Sequence, residues 1–203
     1  MNPTERNNDG FIPKHGGYRN LKAYQKAEII YDATFYFTNR FFKRPDRTID
    51  QMVQAARSGK QNIAEASMAS ATSKETEIKL TNVARASLEE LKIDYEDFLR
   101  LRQLEIWPKE HPYVVRLREL NKIPNPTYET FRKGIEHEDP AISANVIIGL
   151  IKVVSFLLQN QIRSLEAAFL KEGGLRERMT KARIEKRNQE KQNNSEPKEP
   201  NND

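Results

Sequence analysis

Residues 54–91 read QAARSGKQNIAEASMASATSKETEIKLTNVARASLEEL. The apolar side chains recur every three or four residues, the period of a helix rather than a strand. The first half is crowded with small residues: Ala55, Ala56, Ser58, Gly59, Ala64, Ala66, Ser67 and Ala69. Small side chains let helix axes come close, so a neighbouring helix or subunit is expected to pack hard here. A short link, Ser70-Ala71-Thr72-Ser73, follows. Thr72 with Glu75 three residues later fits a capping box and opens a second helix. That helix carries Leu80, Ala84, Ser87, Leu88, Leu91, Tyr95 and Phe98 as one stripe. It also pairs Glu75 with Lys79, Glu89 with Lys92 and Glu96 with Arg100 at helical spacing.

Working outward, Asp46 caps the small-residue helix, which spans about 46–69, and its partner spans about 73–104. Upstream, 20–42 has two adjacent stripes at helical spacing. One is Leu21, Tyr24, Tyr31 and Phe35; the other is Ala23, Ala27, Ile30, Thr34 and Phe37. Asn20 is the expected cap, and Pro45 stops this helix. Downstream, 105–140 is an irregular connection holding five of the ten prolines, with short helices expected at about 111–121 and 127–137. A last long helix at about 141–171 is apolar nearly all round in its first half and stops at Gly173-Gly174. Residues 1–17 read as a loose arm, and 175–203 as a basic and then disordered tail. The expected fold is therefore all-α: an antiparallel up-and-down four-helix bundle over 18–174.

Composition removes many functions. There is no cysteine, which excludes disulfides, thiolate metal sites and a thiol nucleophile. Glycine-rich phosphate loops and Gly-x-Ser-x-Gly are absent. A di-iron bundle needs Glu three residues before a histidine. Ile12, Pro108 and Gly134 stand three before His15, His111 and His137 instead. The acidic run Glu89, Glu90, Asp94, Glu96 and Asp97 reads as a solvated face. No catalytic residue, cofactor or metal is expected. The N-terminus has no apolar core of a secretory signal, and the apolar run VIIGLIKVVSFLL at 146–158 is shorter than the roughly 20 residues a bilayer requires. A soluble, cytoplasmic protein without membrane contact is the expectation.

The net charge is +5. Basic residues gather at the first inter-helix turn, Arg40, Lys43, Arg44 and Arg47, with Arg57 and Lys60 further along the second helix. Phe41 and Phe42 lie among them, and cations interleaved with aromatics suit phosphate contact with base stacking. The alternative is that both rings cap the end of the core. The stretch 176–191 is a second candidate, with a net charge of +4 that includes Arg176, Arg178, Lys181, Arg183, Lys186 and Arg187. Asn62 and Glu65, three apart on the small-residue helix, read as a structural hydrogen-bonding pair facing the next helix.

Four sequence elements carry a resemblance: Ala56-Arg57, Asn62-Ile63-Ala64-Glu65, Ser73 with Glu75, and Ala86-Ser87-Leu88-Glu89-Glu90-Leu91. Together with Leu21-Lys22-Ala23-Tyr24-Gln25-Lys26-Ala27, they resemble the bacterial four helix bundle protein family. That family includes proteins of rRNA intervening sequences and the accessory protein of diversity-generating retroelements. The run from Leu150 to Met179 looks like the "four helix bundle suffix" of some members. Ala66 stands where the family usually has glycine, and Ser67-Met68-Ala69 replaces a segment in which a basic residue is frequent. The resemblance implies a ring-like homo-oligomer, often a pentamer. It also implies RNA or DNA affinity and, on the retroelement branch, a protein partner such as a reverse transcriptase. The leading expectation is a non-enzymatic accessory protein that binds nucleic acid electrostatically with low sequence selectivity. The rival is a protein-interaction scaffold without nucleic acid.

Overall fold

The computed structural model describes residues 17–195, and all regular structure among them is helical. A 3-10 turn at Tyr18–Asn20 leads into α1 (Lys22–Phe41), α2 (Arg47–Ala69) and α3 (Lys74–Leu101). Then come the short α4 (Pro112–Lys122) and α5 (Tyr128–Ile135), the long α6 (Pro140–Glu172) and α7 (Leu175–Ser195). Residues 1–16 of the expected arm and 196–203 of the expected tail lie outside the described residues.

The four long helices α1, α2, α3 and α6 enclose the core, each packed against two of the others in a closed circuit. Of the two stripes on α1, the one carrying Ala23, Ala27, Ile30, Thr34 and Phe37 is buried, while Phe35 of the other is exposed. Phe37 stands at the centre of an aromatic cluster, its ring 4.9 Å from that of Tyr95 and 4.8 Å from that of Phe98. The buried Tyr95 hydroxyl donates to Thr34 Oγ1 at 3.1 Å, which satisfies it away from water. Because Thr34 meets Tyr95 and Phe37 meets Phe98, α1 and α3 run the same way. The small-residue face of α2 does what its composition implies. Gly59 lies so close to α3 that a Cβ there would stand 2.8 Å from Leu88. From α6, Ile147, Leu150, Ile151, Val154 and Leu158 complete the core.

α6 corrects one expectation. The apolar run of the sequence is short, but the helix has 33 residues and is long and apolar enough to cross a membrane. Just over half of its most apolar stretch, 56%, is buried inside the protein.

Helix boundaries follow the caps. Asp46 accepts from Thr48 N at 2.9 Å and starts α2 as expected. Asn20 does not cap α1: its N–H closes the 3-10 turn on Gly17 O at 2.9 Å, and Leu21 takes the cap position. Ser73, not Thr72, caps α3 by accepting from Thr76 N, while the Thr72 hydroxyl turns back to Ala69 O. α3 stops at Leu101 because Gln103 takes a positive φ of 56°. Arg100 pairs with Asp97 at 2.7 Å rather than with Glu96. α7 continues through Ser195, beyond the basic segment and four residues into the stretch expected to be disordered.

Candidate nucleic-acid interface

α1 ends when Phe42 becomes extended, and the chain turns through Pro45 into the Asp46 cap. Arg40, Lys43, Arg44 and Arg47 project from this turn and all four are exposed. Arg44 donates to Asn39 Oδ1 at 3.3 Å, and none of the four makes an ion pair with another of the described residues. A shallow depression of about 210 Å3 between Arg44, Arg47, Ile49 and Asp50 opens here. Asp46 stays acidic, its carboxyl held below the usual range by hydrogen bonds from Thr48 and, to a lesser degree, by Arg102.

Arg102 is the residue that the sequence did not reveal. It stands 55 positions after Arg47, yet the end of α3 lies beside the α1–α2 turn, as the 5.3 Å separation of the Phe42 and Phe98 rings shows. The Arg102 guanidinium lies 3.8 Å from the Phe98 ring centre and 5.5 Å from that of Phe42. Planar guanidinium on an aromatic face is a favourable arrangement, and one N–H here also donates to Phe98 O at 3.4 Å. Phe41 and Phe42 themselves are half-buried against the core, with Phe41 5.0 Å from Phe37. They act as the end of the core, and the cation–aromatic pairing here is made by Arg102.

The other basic candidates lie elsewhere. Arg57 is exposed but ten residues up α2 from Arg47, about 15 Å along the shaft. Lys60 is committed internally, with its ammonium 4.3 Å above the Tyr31 ring and near Asp32. Burial raises the Asp32 pKa, and Lys60 opposes that rise. Lys181, Arg183, Lys186 and Arg187 are exposed along α7; Arg176 and Arg178 belong to the same helix, with side chains outside the described residues. α6 starts near the end of α3, because Asn145 holds Trp107 N at 2.9 Å and Glu105 O at 2.8 Å. Gly173 is 28 residues beyond Asn145, about 42 Å of helix. α7 therefore begins at the opposite end of the molecule from the basic turn, and the two candidates form separate surfaces.

Asn62 and Glu65 part company. Asn62 Nδ2 donates to Ser58 O at 2.9 Å and to Ser58 Oγ at 3.2 Å, and Ser58 Oγ meets Ser87 Oγ of α3 at 3.0 Å. This is the expected structural network to the next helix. Glu65 is exposed and takes no part in it.

No protein-family model, curated protein or solved structure matches this chain.

Proposed function

We propose that this protein is a non-enzymatic, cytoplasmic accessory protein built on an antiparallel up-and-down four-helix bundle. It assembles as a homo-oligomeric ring and binds RNA or DNA through charge, with low sequence selectivity. One observation carries the reading: Arg40, Lys43, Arg44 and Arg47 converge at one end of the helices with no ion pair among the described residues, and Arg102, which faces Asp46, stands beside them. Free cations fixed on a rigid end attract phosphates without reading bases. Repetition of that end round a ring would multiply a weak contact into a strong one. The resemblance to the bacterial four helix bundle proteins supports the same assembly.

The test is titration of a single-stranded RNA and a DNA duplex at two salt concentrations, with light scattering for the native mass. Affinity should fall with salt, and each phosphate contact removed by R40E, K43E or R44E should lower the salt slope by about one. Binding indifferent to salt, or none at low salt, overturns the reading.

The scaffold reading retains one specific support. Phe156 and Leu170 stand on α6 with 64% and 86% of their surface exposed, as partner contacts require. Protein partners that persist after nuclease treatment favour it.

A further inference from the structure

α4, α5 and α6 line a half-open cavity of about 490 Å3. Small-molecule sites usually fall between about 300 and 1,000 Å3. Leu117 and Leu120 of α4, Phe131 of α5, and Ile142 and Val146 of α6 give it an apolar wall. Around that wall stand Arg116, Lys133 and His137. Arg116 and Lys133 are exposed and make no ion pair or hydrogen bond with the described residues. His137 accepts the Asp139 N–H at Nδ1, 3.0 Å, so its proton sits on Nε2, free to donate. The one carboxylate on the wall, Glu129, is engaged by Arg132 at 3.3 Å. The cavity thus combines an apolar interior with a rim whose cations are uncompensated.

The packing explains why the space stays open. α4 buries a single side chain, Leu117, which seats against α6 at Gly149; a Cβ on that glycine would stand 2.2 Å from Leu117 Cδ2. On the other side of Leu117 lies a second cavity, of about 270 Å3. α4 is held off α6 at one point, with room on both flanks, whereas well-packed interiors leave few voids larger than a water molecule.

We propose that the larger cavity binds a small molecule with an apolar body and one carboxylate. The body lies along Leu117, Leu120 and Val146, and the carboxylate is held by Arg116, Lys133 and His137. Its lining shares no residue with the depression at the basic turn.

Decanoate is the probe, titrated into the full chain by calorimetry and by methyl NMR, with decanol as the uncharged match. Decanoate should bind at one site, shift the methyls of Leu117, Leu120, Ile142 and Val146, and bind about tenfold more tightly than decanol, as a charge-assisted contact implies. R116E/K133E, both on exposed side chains, should remove that preference and leave decanol binding unchanged. The proposal is overturned by any of three results: no saturable binding of either probe, equal affinity for the two, or shifts confined to methyls elsewhere.

Discussion

Two helix contacts in this molecule rest on the same device, a glycine that seats a leucine. At Gly59, α2 meets Leu88 of α3, a residue with no exposed surface, and a Cβ would stand 2.8 Å from both Leu88 Cγ and Cδ2. At Gly149, α6 meets Leu117 of α4, and a Cβ would stand 2.2 Å from one terminal methyl, with Cγ back at 3.6 Å. The second approach is the closer, yet it is the looser joint. Leu88 is walled in by the core, while Leu117 has a cavity on either flank. Proximity measures how near two backbones come; the room around the leucine decides whether they can part.

Truncation breaks the comparison most severely. Phe37→Ala removes the ring that touches Phe41, Phe42, Tyr95 and Phe98, and should cost about 4 kcal/mol in urea unfolding. Leu117→Ala should cost less, about 2 kcal/mol, because the space it leaves adjoins cavities already present. The signatures should also differ. Loss of Phe37 lowers the global transition, whereas loss of Leu117 should raise amide exchange chiefly in α4.

The glycines sharpen the contrast. A mid-helix Gly→Ala change by itself gains about 1 kcal/mol of helix propensity. At Gly59 the boxed-in Leu88 must be forced aside, so Gly59→Ala should be net destabilising by about 1–2 kcal/mol. At Gly149 the Leu117 methyl can swing into a cavity, and Gly149→Ala should fall within about 0.5 kcal/mol of the parent. A larger loss at Gly149 than at Gly59, measured by urea midpoints, would show that distance and not surrounding space governs these joints.

The tight region was the legible one. Its small residues, its apolar spacing and the Asp46 cap are all local signals, and α2 and α3 follow them to within a few residues. Where Thr72 and Ser73 could each cap, sequence offered no means of choosing, since the choice turns on which hydroxyl folds back on Ala69 O. Phe35 carries helical spacing but points to solvent, because the other stripe of α1 fills the core. Arg102 escaped notice for a different reason. It joins the basic turn only through the register of α1 against α3, which no local pattern encodes. Nor does any motif announce the cavity beneath α4, which exists through what Leu117 fails to fill. Only the end of α7 departs from the sequence reading: it runs through Asn193, Asn194 and Ser195, whose polarity alone points to disorder.

The smallest predicted effect probes how α4 is tied to α1. Lys26 is buried, its ammonium donating to Asn121 Oδ1 of α4 at 2.6 Å and lying 5.7 Å from the Phe131 ring centre. Burial, with Lys22 nearby, lowers its pKa below the ordinary 10.5. The sign follows directly. Below that ordinary value the unfolded chain keeps the proton while the folded chain gives it up, so stability rises with pH in that window. Lys26→Met keeps the length and volume but has no proton to release. It should therefore be at least as stable as the parent at pH 7, and the gap between them should narrow as pH climbs toward the ordinary lysine value. Tyr24, Tyr95 and Tyr128, all with raised pKa values, take stability away above about pH 10, but equally in both proteins, so the gap still reports on Lys26. Parallel stability curves for the two proteins would mean that the Lys26 ammonium is solvated as α4 lifts, which would make that helix looser in solution than its single seat on Gly149 implies.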